Sequence, residues 1–372
     1  MVHNVTLTVP RVSIVIAAYN CQDTIAAAVC SCLDQTYPNT EVVVVNDGST
    51  DSTADVLASF GSRIRVVAQH NGGLAAARNA GTRAATGEFI AWMDADDLAT
   101  PDRAAVEAAV LQLDSNLAVV SSDFTAFVDE AVDFDPSHIT SYYNAFSRLG
   151  GAARIYEQVS SFQLPGGARP VRRGHVYEQL LWGNFVHPPT VMARREWLER
   201  AGPFDESLRY SSDYDLLLRL ARIGEFAFVD APLLRYRRSP TQMSGSASSR
   251  IMPFETIRIL EKARAADPAL EVRQAALFKR RMAESLVTAA AAIGPTERVK
   301  ALGLLWAGLR QRFVLKPSLV ALIRIALPDA IRRLMTATYR RLFGKKLAYL
   351  TTSASTAFAA CPDACFSIPP LA

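Results

Sequence analysis

Residues 12–51 read VSIVIAAYNCQDTIAAAVCSCLDQTYPNTEVVVVNDGSTD, and this stretch decides the fold. Val12–Ala17 is an apolar run of strand length with almost no polar alternation, as expected of a strand buried on both faces. Asp23–Gln35 then sets Ile25, Val29 and Leu33 on one helical face, and Glu41–Val45 is a second buried strand. Strand, helix and strand in that order build a mostly parallel sheet covered by helices. The pattern continues outward with strands at Ile64–Ala68, Glu88–Met93 and Leu117–Ser121 and helices over 52–60, 73–85 and 101–113. Pro101 suits the first turn of the last helix, where its missing N–H costs nothing.

Open sheets of this kind bind ligands at the carboxyl ends of their strands. Here those ends read Tyr19-Asn20, Asn46-Asp47-Gly48-Ser49 and Asp94-Ala95-Asp96-Asp97, three polar clusters on one edge. Carboxylates two apart after a strand can hold Mg²⁺ or Mn²⁺, hard cations that share oxygen ligands with a diphosphate. The plainer alternative makes Asp97 or Thr100 the cap of the helix opening at Pro101. Asp47 is equally a base-binding acceptor or part of a strand-to-helix turn. Asn71-Gly72-Gly73 precedes a helix carrying Arg78, and glycines at a helix start can approach phosphate; a buried structural arginine is the alternative. An EF-hand is excluded by Ala99 and Ala105, and no Gly-x-Gly-x-x-Gly or phosphate-loop Gly-Lys-Ser/Thr is present.

Beyond residue 125 the signal weakens. Residues 126–170 read as irregular and Leu164–Arg173 as a surface loop or lid. A short helix near His175–Trp182, a strand at Thr190–Ala193 and a helix at Ser212–Arg222 follow, then strands at Glu225–Val229 and Leu233–Arg237. From Ile251 the pattern is helical, broken at Asp267-Pro268, Gly294-Pro295, Lys316-Pro317 and Pro328. The expected organisation is a catalytic domain over 1–249, divided at 125/126, a basic helical extension over 250–346 and a flexible tail over 347–372.

The formal net charge of +4 conceals an uneven distribution. Residues 250–346 carry 20 Lys/Arg against 7 Asp/Glu, and all six lysines lie at or beyond Lys262. Leu302, Leu305, Trp306, Leu309 and Phe313 recur at helical spacing, as do Ile331, Leu334, Met335, Leu342 and Phe343, with arginines beside both stripes. This pattern fits helices lying on an anionic membrane surface; amphipathic helices packing on the catalytic domain are the alternative. Nucleic acid is disfavoured, because aromatics are not interleaved with the basic residues. No apolar run reaches spanning length, and five cysteines without a secretion signal fit a reduced, cytoplasmic protein, peripheral on the inner face of the plasma membrane if it binds lipid.

Together the segments VSIVIAAYN (12–20), VVVVNDGSTD (42–51), NGGLAAARNAG (71–81), FIAWMDADD (89–97), HPPTVMARR (187–195), GPFDESLRYSSDYDLLLRL (202–220) and PLLRYRRSPTQMS (232–244) resemble the family 2 glycosyltransferases of the GT-A fold. The resemblance implies an α/β GT-A nucleotide-diphospho-sugar transferase, active in bacterial envelope or exopolysaccharide synthesis. It implies that Ala18, Tyr19, Asn20 and Asp47 hold the nucleotide, that Gly73, Arg78, Asp94 and Ala95 serve the donor, and that Asp96 binds the metal. Asp213 would be the catalytic base, although the family's Glu-Asp pair reads Ser212-Asp213 here. The family's Tyr-Arg-x-His reads Tyr236-Arg237-Arg238-Ser239, so either Arg238 replaces the histidine as a phosphate clamp or metal dependence is weaker. His187, in its His-Pro-Pro turn, is either a structural or an acceptor-site residue.

The expected reaction is a single displacement from a nucleotide-sugar donor, UDP-sugar favoured, to a glycan or lipid-linked acceptor. One attack inverts the anomeric centre, whereas retention needs a second carboxylate. A sugar-1-phosphate nucleotidyltransferase and an inactive membrane-associated assembly protein are the rivals. The first would carry a Gly-rich basic loop after the first strand, where Ala18-Tyr19-Asn20-Cys21 stands.

Overall fold

The structure, a computed structural model, describes residues 9–129, 132–239, 248–294, 296–312 and 315–326. The chain forms two compact units, Met1–Arg238 and Ser239–Ala372. The first unit opens with β1 (Val12–Ala18), α1 (Ile25–Leu33), β2 (Thr40–Asp47), α2 (Thr53–Ala58), β3 (Arg65–Gln69) and α3 (Leu74–Ala84). β4 (Phe89–Asp94), the two-residue β5 (Leu98–Ala99) and α4 (Arg103–Gln112) follow. Its second half comprises β6 (Leu117–Asp129), β7 (Val132–Asp135), the short helices α5 (Ile139–Tyr142), α6 (Asn144–Arg148) and α7 (Ala152–Ile155), and β8 (Gln158–Leu164) with β9 (Gly167–Gly174). It closes with α8 (Tyr177–Leu180), β10 (Met192–Arg194), α9 (Arg195–Ala201), α10 (Ser212–Ile223) and β11 (Glu225–Arg237).

One mixed sheet runs β3-β2-β1-β4-β10-β6-β11-β9-β8, with β5 on β11 and β7 on β6. The β3-β2-β1-β4 block is parallel throughout, as is β6 beside β11; β10 joins the two blocks antiparallel. The valine run of β2 is buried because helices cover it. Gly81 of α3 makes that cover tight, since a Cβ there would stand 2.3 Å from a Val15 methyl. Register then levels the strand ends: Ala17 lies beside Asp94, Ala18 beside Asn46, and Asp47 beside Gln69.

Four expectations change. Helix α4 begins at Arg103 after an Asp102 cap, so Pro101 lies in the preceding turn. Residues 126–129 and 132–170 are largely regular, because β6 extends to Asp129 and β7, three short helices and β8 follow. Leu164–Arg173 is no lid: most of it is β9, paired with β8 on one side and with β11 on the other. Its Gly/Pro/Arg composition survives in a strand because Pro170 lies one residue past Val171, the last β9 residue opposite β11. The two strands at 225–237 are one, kinked by register shifts around Pro232 that replace the expected break.

The second unit contains α11 (Ser248–Ala266), α12 (Leu270–Arg273), α13 (Ala275–Ile293), α14 (Arg298–Gln311) and α15 (Leu315–Ala326). Val287, Ala290 and Ile293 of α13 meet Ala301 and Leu305 of α14 and Ala321 and Ile325 of α15 in an apolar core. The expected stripe on α14 is therefore split. Leu305 faces the core and Leu309 packs against it, whereas Val299, Leu302 and Trp306 are exposed. Phe313, the stripe at 331–343 and the tail from 347 lie outside the described residues. No helix among the described residues is long and apolar enough to cross a membrane.

Candidate active site

The loops after β1 and β2 are fastened to each other. Asn20 adopts φ +46°, a left-handed conformation that asparagine tolerates. Its Oδ1 accepts the Thr50 N–H at 2.8 Å, and its own N–H donates to Ser49 Oγ at 3.1 Å. The Cys21 N–H donates to Thr53 Oγ1 at 2.9 Å. Ala18 is buried in the sheet, while Tyr19 at the strand end is 50% exposed and leaves its ring open to a planar ligand.

Asp47 is buried and saturated. Its Oδ1 accepts from Gln69 Nε2 at 2.7 Å and the Gly72 N–H at 2.8 Å, and Oδ2 accepts the Gly73 N–H at 2.9 Å. The carboxylate thus fixes the turn that opens α3. Gly48, at φ +72°, could carry no side chain, because a Cβ would stand 2.7 Å from the Asn71 nitrogen. Gly73, at φ +85°, has open space where its Cβ would be. Arg78, buried, donates to Asp94 Oδ1 at 2.8 Å, so its guanidinium is already paired. Asn79 anchors the Gly-Pro-Phe-Asp loop through the Phe204 backbone and Glu206.

Asp94 ends β4, with the partly buried Ala95 and Asp96 beyond it. Burial first, and then the Asp94 charge, pushes the Asp96 carboxyl up to about 6. Asp97 is fully buried; its Oδ1 accepts the Arg237 N–H at 2.9 Å, and its Oδ2 is without a partner among the described residues. Burial, then Asp96 and Asp94, holds it well above the carboxylate range. Asp97 therefore does not cap α4. Arg237 also donates Nε to the Asp96 carbonyl at 2.9 Å. Three acids crowded at a strand end favour a divalent cation, which relieves both burial and mutual repulsion. Asp94 and Asp96 offer hard oxygen donors that suit Mg²⁺ or Mn²⁺. Among the described residues no set of three or more His, Cys, Asp or Glu side chains could hold a cation alone, so the diphosphate itself would supply further oxygens.

Asp213 is the second residue of α10, whose cap position is Ser211. Its carboxyl is raised above the ordinary Asp range by burial, opposed by the Arg78 charge and reinforced by Asp94. Asn184 Nδ2 approaches Asp213 Oδ2 at 3.4 Å. An apolar recess lined by Trp92, Phe204, Leu216 and Leu217 backs the acid, which accounts for the desolvation. His187 is buried, stacked on Phe124 at 4.3 Å, and in contact with Tyr143 Oη at 3.2 Å. Besides Arg78 at Asp94, Arg237 meets the acid cluster, at Asp97 and the Asp96 carbonyl. Arg238, expected as the clamp, has an exposed side chain. Its N–H donates to the Phe127 carbonyl at 2.8 Å and continues the β6–β11 pairing one residue past the strand.

Three site residues escape the sequence reading. Arg237 is within its reach: β5 opposes β11 with Leu234 beside Ala99 and Arg235 beside Leu98, which carries Arg237 toward Asp96. Asn184 and Tyr143 lie in segments without periodicity, and nothing in their spacing announces them.

A parallel strand edge carrying these acids, joined through the antiparallel β10 to the β6–β11 pair, is the arrangement of the GT-A fold. Residues 13–181 match the Glycosyl transferase family 2 profile. It is 28% identical over 249 residues to an uncharacterized glycosyltransferase of Rickettsia typhi, covering 67% of this chain and 70% of that one. It is 33% identical over 225 residues to the hyaluronan synthase of Pasteurella multocida, covering 59% of this chain but 19% of the synthase. Among solved structures, S. aureus TarS 1–349 in complex with UDP-GlcNAc is similar at TM-score 0.52 and 18% identity, over 89% of this chain and 85% of that one. The mannosyltransferase PcManGT from Pyrobaculum calidifontis, in complex with GDP-Man and Mn²⁺, is similar at TM-score 0.51 and 21% identity, over 91% and 89%. These two likenesses establish the shared fold.

Proposed function

We propose that this glycosyltransferase moves a sugar, with inversion, from a nucleoside-diphosphate donor to a hydroxyl of a glycan or lipid-linked acceptor in cell-envelope polysaccharide synthesis. UDP-sugar is the favoured donor, as in the TarS complex. The observation that carries this reading is Asp213, a desolvated carboxyl raised above its usual range on the acceptor side of the acid cluster. A base poised nearer neutrality takes the acceptor proton more effectively than an ordinary aspartate. Tyr19 offers its open ring to the base, and Ala18, Asn20, Asp47 and Gly73 shape the loops around the nucleotide. Arg238 is the proposed contact for the departing diphosphate, and Arg78 holds Asp94 in place. Mg²⁺ or Mn²⁺ held at Asp96, beside Asp94 and Ala95, would supply the charge that neutralises the leaving diphosphate.

The second proposed partner is an anionic membrane surface on the cytoplasmic side. Support comes from α14, where the exposed Val299, Leu302 and Trp306 stand among Arg298, Lys300, Arg310 and Arg312. Each basic residue near such a surface contributes about 1 kcal/mol, screened by salt. Full-length protein should co-sediment with phosphatidylserine vesicles at low salt, less so at high salt and less so as Trp306→Glu. Wild type remaining in the supernatant at low salt would remove the membrane from this reading.

The catalytic reading is tested by donor hydrolysis. With Mn²⁺, the chain should slowly release UDP from UDP-GlcNAc or UDP-glucose, and release should stop with EDTA and in Asp213→Ala. Release from neither donor, or equal release by Asp213→Ala, would overturn it.

A further inference from the structure

Residues 138–143 and 184–187 converge on one aromatic cluster beside the acids. Phe124, His138, Tyr142, His187 and Tyr236 pack with centroid separations between 4.3 and 6.0 Å. Most of these rings are buried and belong to the core. Tyr142 and Tyr143 differ: both are only partly buried, with rings 4.8 Å apart and inclined at 64°. The 184–187 loop links them to the acid, because Asn184 meets Asp213 at 3.4 Å while His187 Nδ1 meets Tyr143 Oη at 3.2 Å.

The tautomer of His187 follows from what its other nitrogen meets. Nε2 is buried and has no hydrogen-bond partner among the described residues. An orphaned buried N–H is the costlier arrangement, whereas an unfilled ring lone pair is tolerated better. The proton therefore sits on Nδ1 and is donated to Tyr143 Oη. Burial, with the charges of Arg78, His138 and Arg103, pushes His187 down to about 3, so the ring stays neutral across the working range. With its oxygen already accepting, Tyr143 keeps its own O–H as a donor, polarised by the imidazole behind it. Desolvation and the charges of Asp213 and Asp94 hold that phenol protonated.

We propose that Tyr142 and Tyr143 form the subsite for the acceptor sugar, with Tyr143 Oη donating to an oxygen next to the hydroxyl that Asp213 deprotonates and His187 as its positioning residue. Aromatic rings suit the C–H face of a pyranose, and a fixed phenol donor discriminates one ring oxygen from another. The ligand class is a saccharide terminus with an oxygen adjacent to the reacting hydroxyl. The inference rests on the base assignment of Asp213, and its test is independent of catalysis.

Saturation-transfer NMR on the full chain, with UDP and Mn²⁺ present, reads it directly. The probes are methyl β-glucopyranoside, N-acetylglucosamine and methyl α-mannopyranoside. Wild type should saturate the ring protons of at least one of them. Tyr143→Phe, which loses only the hydroxyl, should cut that signal at least fivefold. His187→Asn, whose amide reproduces the Nδ1–H, should retain the sugar signal, whereas His187→Leu should lose it. No signal from any probe on wild type, an undiminished signal in Tyr143→Phe, or equal signals in the two His187 variants would overturn the proposal. Absence of UDP release from both UDP-GlcNAc and UDP-glucose in wild type would instead count against the catalytic reading.

Discussion

Asp47 and Asp213 are both acids of the proposed site, yet the two regions that hold them are built differently. Around Asp47, a carboxylate is filled by Gln69 and by two backbone N–H groups, and the neighbouring loops are tied by Asn20, Ser49 and Thr53. Around Asp213, the carboxylate is met by the backbone N–H groups at the start of its own helix, at Asp213 and Tyr214, and by a 3.4 Å approach from Asn184, and the recess behind it is mostly apolar. Donors that reach Asp47 from a separate loop tie the first region together before any ligand arrives, whereas those at Asp213 belong to its own helix. The second region keeps a desolvated acid and a set of rings, which leaves binding capacity unspent. A stiff pocket suits a donor portion of constant shape, and an adaptable wall suits an acceptor that differs from enzyme to enzyme.

The largest effect that would sharpen this contrast is on turnover. Asp213→Asn retains the shape and one oxygen but cannot take a proton, so turnover should fall roughly 10²–10⁴-fold, the usual worth of a positioned base. Donor affinity, measured by calorimetry with UDP-GlcNAc and Mn²⁺, should stay within a few-fold. Weakened donor binding with unchanged turnover at saturation would make Asp213 part of the stiff region after all.

Next in size is a stability effect on the other side. Asp47→Ala leaves the Gly72 and Gly73 N–H groups and Gln69 without their acceptor. Unpaired donors of this kind cost about 1–3 kcal/mol each, and neighbours share relaxation, so a loss of about 2–4 kcal/mol is expected in urea unfolding. Asp213→Ala should change stability far less. Equal losses from the two substitutions would erase the distinction between the regions.

The same contrast explains what the sequence discloses. Buried parallel strands are nearly pure apolar runs, and their polar ends mark the ligand edge, so β1, β2 and β4 with Asp47, Asp94 and Asp96 are plain from residues 12–97 alone. Further along, β8 is largely exposed and β9 only partly buried, neither reads as an apolar run, and the side chains around Asp213 meet only through tertiary packing. Tyr143, Asn184 and His187 are brought together across more than forty residues by the pairing of β10 between β4 and β6. No local period encodes such a meeting, and Pro232 conceals a continuous β11 for the same reason: its tolerance depends on a bulge against β6.

The smallest expected effect is on the acid limb of the rate profile. As the proposed base, Asp213 would work only when ionised, and burial has raised its carboxyl above the ordinary Asp range. The rate should therefore fall with decreasing pH earlier than an unperturbed aspartate would require. Asn184 donates to the charged form, so Asn184→Leu should move this limb to still higher pH, by a few tenths of a unit for a long hydrogen bond worth about 0.5 kcal/mol. The linkage to stability has a definite sign. A carboxyl whose pKa is raised on folding favours the folded state below its unfolded value, and that contribution is lost as pH rises through the folded value. Asp213→Asn, which cannot ionise, should accordingly gain on wild type in thermal unfolding as pH rises from 4 toward 7, and the gain should be larger against Asn184→Leu. A limb unmoved by Asn184→Leu, together with parallel unfolding curves, would show Asp213 to be as firmly satisfied as Asp47.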